Sequence, residues 1–244
     1  MTLGSWLIYG ITASISLFPV FRSDLLTVHP RYRYFRYTSW VLLAWTILTG
    51  IRYLVADAWL LYLVSLVIYP VIYLSTAFIF VALMTYLEKI IPKWIYVLIG
   101  SFLILDTILS LTNHWHLGML EIGYSSNLTY QMIFDSPHGW FFFFHTIVCY
   151  LLLFFTMFAI ITRLYHDLKK EQDVVPFTVM IVSILIGLTA NIIHLFVYSF
   201  IIDPTYVVFV ILIMIMYFIF YIRDVKMVKS YTLRPEDLGY PQAE

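Results

Sequence analysis

Histidine, asparagine and hydroxyl side chains, which can bind ligands or transfer protons, stand inside the long apolar stretches of this sequence. One stretch carries Ser183, Gly187, Asn191, His194 and Tyr198, at spacings of 4, 4, 3 and 4 residues. Side chains at these intervals lie on one face of a helix. Because polar groups are costly in lipid, we expect this face to point into the interior of a helical bundle.

Two other apolar stretches carry polar stripes of the same kind, made of His138, His145 and Cys149 in one and of Asp106, Ser110 and Asn113 in the other. Most residues of the three stripes fall in the half of their helices that adjoins the connection 113–139. We therefore predict a polar cavity below this connection. For any single residue, a hydrogen bond between packed helices, worth about 0.6–2 kcal/mol, is the simpler interpretation. The set as a whole favours a binding cavity.

Two kinds of membrane enzyme could use these residues. His145 and His194 fall at similar depths and could ligate a b-type haem from facing helices. Together with Asp106, the same histidines could serve an intramembrane hydrolase, although no spacing requires it. The sequence has no nucleophile elbow, phosphate-binding loop, zinc-protease helix or dinucleotide fingerprint. An enzyme or haem protein is therefore the alternative hypothesis, and we predict no cofactor.

A further group of histidines, His114, His116 and His138, falls in or beside the connection 113–139. Histidines can ligate metal ions or titrate near neutral pH. The connection holds no other clear array of metal ligands, and a structural metal site generally needs four. We predict no metal site.

The elements that position these residues are membrane-spanning helices. Apolar residues make up 62% of the chain and charged residues 11%, against about a quarter charged in soluble domains. A helix needs about 20 mostly apolar residues to cross the hydrocarbon core, and strands would alternate in polarity. Seven stretches qualify as helices: residues 3–21, 37–55, 58–86, 94–112, 140–162, 176–201 and 206–222.

The sequence thus predicts an all-α membrane bundle of seven transmembrane helices over residues 1–222, followed by a short cytoplasmic tail, 223–244. Pro70 falls inside the third and longest helix, where its missing backbone donor predicts a kink or a tilt. We see no internal repeat of the kind found in inverted-repeat transporters.

The distribution of basic residues predicts the orientation. With the N-terminus outside and the C-terminus in the cytoplasm, all of the 14 Lys and Arg residues except Arg52 fall on the inner side, as expected for loops that stay cytoplasmic. Arg52 is close enough to a helix end for its long side chain to reach the outer membrane surface. The connection 113–139 contains no Lys or Arg and is therefore predicted to lie outside.

The second half of the chain carries a further set of motifs: Leu111-Thr112-Asn113-His114, Pro137-His138-Gly139-Trp140, Asn191 with His194, Asp203-Pro204-Thr205 and Tyr221-Ile222-Arg223-Asp224-Val225. With these motifs, nearly all of residues 1–225 resembles the seven-helix N-terminal sensor region of bacterial histidine kinases and diguanylate cyclases. The resemblance implies signal reception in the bacterial cytoplasmic membrane and relay through the last helix to a cytoplasmic output domain.

The chain departs from that family pattern after Ile222, since no phosphoacceptor helix, ATP-binding domain or cyclase domain follows. We therefore expect either a free-standing receptor that acts on a partner or a truncated chain. In both cases we expect no enzymatic activity from the chain itself.

The resulting hypothesis is a sensor that binds a small molecule, lipid or peptide from outside. The predicted ligand contacts are Asn113, His116, Trp140, His145, Asn191, His194 and Asp203, and the predicted partner contacts are Arg223, Asp224 and Lys226. Expected partners are the lipid bilayer, an extracytoplasmic ligand and a cytoplasmic signalling protein, and the pattern is compatible with a homodimer. A net charge of zero and no clustered basic surface argue against nucleic acid. A transporter or a partner subunit is the second alternative.

Overall fold

The computed structural model describes residues 3–21, 33–169, 174–197 and 207–219. Helices account for most of these residues, and no β-strand occurs among them. The helices are α1 (Leu3–Phe21), α2 (Arg33–Leu54), α3 (Ala58–Tyr86), α4 (Lys93–Leu111), α5 (Asn113–His116), α6 (Tyr130–Phe134), α7 (Trp140–Leu168), α8 (Val175–Ile192) and α9 (Val207–Ile219). Helix α8 continues directly into a π-helical turn, Ile193–Val197.

The long helices stand where hydropathy predicts them, and α1 and α3 have the predicted bounds. Four helices of the described ranges, α3, α4, α7 and α8 with its π turn, are long and apolar enough to cross a membrane. An all-helical membrane protein is thereby confirmed for this part of the chain, whereas the seven crossings and their orientation stay predictions. Tyr198, Asp203, the 223–244 tail and its predicted partner contacts lie outside the described residues.

Helix α3 is the central element of the structure. Its 29 residues include no charged side chain, and a helix that is apolar on all sides belongs in a core. Two thirds (67%) of its most apolar stretch is buried, against 11% for α4 and 33% for α7. Asp57 caps its first turn by accepting a hydrogen bond from the Leu60 amide at 2.8 Å. The helix continues through Pro70.

The loop between α4 and α7, residues 113–139, folds back onto α3. The side chain of Asn113, which is fully buried, holds the loop against α3. Asn113 Nδ2 donates to Tyr62 Oη at 3.0 Å and to the Leu120 carbonyl at 3.1 Å. Its Oδ1 accepts from the Met119 amide at 2.8 Å. The loop also contains the short helices α5 and α6, which hydropathy did not predict because neither is long enough to cross a membrane.

The far end of the loop depends on the small size of Gly139. The Gly139 amide donates to the Met119 carbonyl at 3.0 Å, and the Phe141 amide donates to the Gly118 carbonyl at 2.7 Å. A Cβ atom on Gly139 would lie 2.1 Å from the Leu117 carbonyl oxygen and 2.5 Å from the Gly118 carbonyl carbon. Both are backbone atoms in this tight crossing, so neither can move aside cheaply.

We predict that Gly139→Ala lowers the free energy of unfolding by about 1–3 kcal/mol, the usual cost of forcing an extra carbon into a packed site. Thermal unfolding of the purified protein in detergent would measure the change. Gly100→Ala is the matched control, since a Cβ at Gly100 meets nothing within 4 Å and alanine favours the helix. Equal stability of the two variants would contradict the packing argument.

Candidate functional site

A cavity of about 160 Å³ lies between α2, α3, α7 and α8, below the 113–139 loop. All four helices, the π turn and the loop contribute polar side chains to its lining: Arg52, Ser65, Tyr69, Tyr130, His138, His145, Tyr150, Asn191 and His194. Aromatic and aliphatic side chains complete the wall. The polar cavity predicted below this loop is therefore confirmed.

Of the predicted ligand contacts, His145, Asn191 and His194 line the cavity, and the structure brings them together from α7, α8 and its π turn. The others among the described residues lie elsewhere. Asn113 is saturated by the hydrogen bonds that hold the loop. The remaining two are His116, whose Nδ1 accepts from the Gly118 amide at 2.9 Å, and Trp140, which is 63% exposed.

A buried polar pair fixes one wall of the cavity. His145 Nδ1 lies 2.9 Å from Asp106 Oδ1, and the two residues are 2% and 0% exposed. This distance is that of a hydrogen bond between the two side chains. His145 Nε2 lies 3.7 Å from Cys149 Sγ. The pair links α4 to α7 and accounts for an aspartate inside a membrane helix, since buried charges need a partner.

This arrangement gives little support to the haem and hydrolase hypotheses. Both ring nitrogens of His145 are engaged, by Asp106 and by Cys149, so that a haem iron would have to displace one of these contacts. The described residues contain no group of three or more His, Cys, Asp or Glu side chains arranged to hold a metal ion. The hydrolase hypothesis needs His194 beside Asp106, but Asp106 does not line the cavity that His194 lines.

Helices α7 and α8 are joined across the cavity by Tyr150, whose hydroxyl donates to Asn191 Oδ1. Other hydroxyl groups that line the cavity form hydrogen bonds within their own helices. Ser65 Oγ donates to the Leu61 carbonyl at 2.8 Å, and Thr49 Oγ1 donates to the Trp45 carbonyl at 2.9 Å. Such hydroxyls need nothing from a ligand.

Arg52 lines the cavity and was not among the predicted ligand contacts. Its guanidinium lies over the rings of Tyr130 and Tyr53, 5.5 and 5.8 Å from their centroids. These distances are those of cation–π contacts. The sequence does set Arg52 apart from the other basic residues, because it is the one Lys or Arg predicted on the outer side.

Two loop residues at the cavity are neutral at physiological pH. Burial lowers the pKa of His138 to about 4, and the nearby His194 acts in the same direction. Burial raises the pKa of the Tyr130 phenol, against the opposing effect of Arg52. The phenol therefore keeps its proton and remains a hydrogen-bond donor.

These features define an integral membrane protein with a cavity between helices, lined in part by polar side chains and bordered by a folded loop. The chain belongs to the family described as the N-terminal 7TM region of histidine kinase, whose model matches residues 6–226. This match confirms the resemblance to the sensor region of histidine kinases. Comparisons with curated proteins and with solved structures find no match.

The buried pair of Asp106 and His145 yields a test of its structural role. We predict that Asp106→Leu and His145→Leu each lower the free energy of unfolding by about 3–5 kcal/mol, because each leaves one buried partner uncompensated. The double variant should recover most of the loss. Thermal unfolding of the four proteins in detergent would complete the cycle. Additive losses in the double variant would show that the two side chains do not act as a pair.

Proposed function

We propose that this chain is a membrane sensor that binds a ligand in the cavity below the 113–139 loop and relays the signal through its last helix to a cytoplasmic partner. The observation that carries the proposal is the cavity itself, with His145, Asn191 and His194 at its wall. The family match supports the sensor class. In this proposal the chain has no catalytic activity of its own.

The proposal includes seven crossings, with the N-terminus outside and the C-terminus in the cytoplasm. The charge distribution supports this orientation, because Arg52 is the one basic residue on the side of the 113–139 loop. The cavity then lies in the outer half of the bundle, where a ligand from outside has the shorter path. Arg223, Asp224 and Lys226 follow the last helix on the cytoplasmic side and are the proposed partner contacts.

The relay has a physical route through α8 and α9. A second cavity of about 50 Å³ is lined by Asn191, Gly187 and Phe209, and so reaches from the ligand site to α9. Gly187 lets the helices approach closely, since a Cβ there would lie 3.2 Å from the Phe209 ring. A ligand that binds one arrangement of α8 and α9 more tightly would shift the population toward it. The last helix carries that shift to the cytoplasmic side.

Reporter fusions would test the orientation. Alkaline phosphatase, which is active only outside the cytoplasm, should be active when fused after Asn127 and inactive when fused after Glu88 or Lys169. The reason is that basic residues flank the last two positions and none flanks the first within the loop. Activity after Glu88 would reverse the proposed orientation.

The sensor role can be tested by fusing a histidine-kinase catalytic region after Lys226 and measuring its autophosphorylation in membranes. Asn191→Leu and His194→Leu should each change the output about fivefold or more, a typical coupling between sites. Asn127→Leu and His114→Leu are matched controls, because both side chains are exposed in or beside the loop. Unchanged output from cavity variants that fold normally would refute the sensor site.

A further inference from the structure

Three polar atoms at the cavity have no hydrogen-bond partner within the described part of the chain, although each is buried: Arg52 Nε, Tyr130 Oη and His138 Nδ1. All three residues line the same cavity. Buried polar atoms are nearly always paired, so an unpaired group calls for an explanation. Here the three meet around one space, and each can donate a hydrogen bond to whatever fills it.

The charge balance of the cavity points to an anion. Among the described residues that line it there is no Asp or Glu, and the buried Asp106 is already engaged by His145. Within the described residues, the Arg52 guanidinium therefore has no carboxylate beside it: it lies over the rings of Tyr53 and Tyr130 and shares a side-chain hydrogen bond with Tyr53. A positive charge enclosed in a membrane bundle is costly without a counter-charge, and a bound anion would supply one.

The single positive charge of Arg52 favours an anion that carries one negative charge. One guanidinium balances one negative charge, whereas His138 and Tyr130 are neutral donors. A phosphate near two negative charges would leave an excess charge in an apolar surrounding, which is unfavourable. A carboxylate carries one charge, and its oxygens have lone pairs for several donors, with guanidinium–carboxylate hydrogen bonds among the strongest in proteins.

The lining of the second cavity indicates the chemistry of the rest of the ligand. It shares Trp45, Ile72, Cys149, Tyr150 and Asn191 with the first and is otherwise lined mainly by apolar groups, including Leu153, Leu188 and Phe209. The first cavity, of about 160 Å³, has room for on the order of ten water molecules. Together the two spaces fit an elongated molecule with a polar head and an apolar tail directed at α9.

We propose that the site binds a monocarboxylate with a short apolar tail, of the class of a medium-chain fatty acid. Arg52, Tyr130 and His138 hold the carboxylate, and the tail runs between α7 and α8 toward Phe209. This assignment rests on the proposed sensor function and names the ligand class for the same cavity. It also gives the relay its direction, because the tail contacts the helix that leaves the bundle.

The chain carries its own reporter for a test. Cys149 is the single cysteine of the sequence and lines both cavities. The rate at which N-ethylmaleimide alkylates Cys149 in the full chain, reconstituted in lipid nanodiscs, measures whether the space is occupied. Octanoate should slow alkylation at least about tenfold. Octanamide, which has the same tail without the charge, and acetate, which has the charge without the tail, should protect far less.

Variants identify the residue that holds the charge. Arg52→Met should weaken octanoate protection at least about tenfold, since it removes a charge-assisted hydrogen bond, and Arg52→Lys should retain part of it. Lys93→Met is the matched control, because Lys93 is an exposed residue at the start of α4. Equal protection by octanamide, or full protection of Arg52→Met by octanoate, would overturn the assignment.

Two further results separate this assignment from the sensor function. If Cys149 does not react with N-ethylmaleimide, equilibrium dialysis of radiolabelled octanoate against wild-type, Arg52→Met and empty nanodiscs decides whether octanoate binds. Absence of binding, with kinase output still changed by Asn191→Leu, overturns the ligand class and leaves the sensor function standing. Binding of octanoate that leaves the output of the fusion unchanged supports the ligand class and counts against the relay.

Discussion

The absence of water in the bilayer core is the constraint on which this structure depends. Every polar group placed there must find its partner in the protein itself. The hydroxyls satisfy the constraint locally, by donating to a carbonyl one turn back, as Thr156 does to Leu152 at 2.7 Å. Asp106 satisfies it with one of its two oxygens, Oδ1, which pairs across helices with His145. Polar groups that remain unpaired are therefore informative, and within the described residues most of them gather at one cavity.

Two elements, α3 and the 113–139 loop, form much of the wall of the cavity. Helix α3 supplies a continuous apolar wall that packs against α2, α4 and α7. The 113–139 loop supplies the roof, and its backbone is tied to the helices by the Asn113 amide and by the close crossing at Gly139. These contacts fix the position of the loop and, with it, the positions of Tyr130 and His138. The loop is therefore part of the cavity wall and not only a connection.

Hydropathy sufficed to predict where the long helices lie, because a membrane helix must be apolar over about 20 residues wherever it packs. It was less informative at helix ends: α7 continues to Leu168, beyond the predicted 162, because Arg163 and Asp167 form an ion pair at 2.9 Å within the helix. The helical spacing of His145, Asn191 and His194 was enough to place them at a cavity. The roles of Asn113 and Arg52 could not be predicted, since they depend on partners, Tyr62 and Tyr130, that are distant in the sequence.

Gly187 also bears on how proteins of this architecture can diverge. The separation of α8 and α9 is set by a missing methyl group, because a Cβ would meet Phe209 at 3.2 Å and Val208 at 3.4 Å. An alanine at this position would push the helices apart by a few tenths of an ångström without touching any polar group of the cavity. The spacing of these two helices and the polar lining of the cavity are therefore set by different residues, so that either can change without the other.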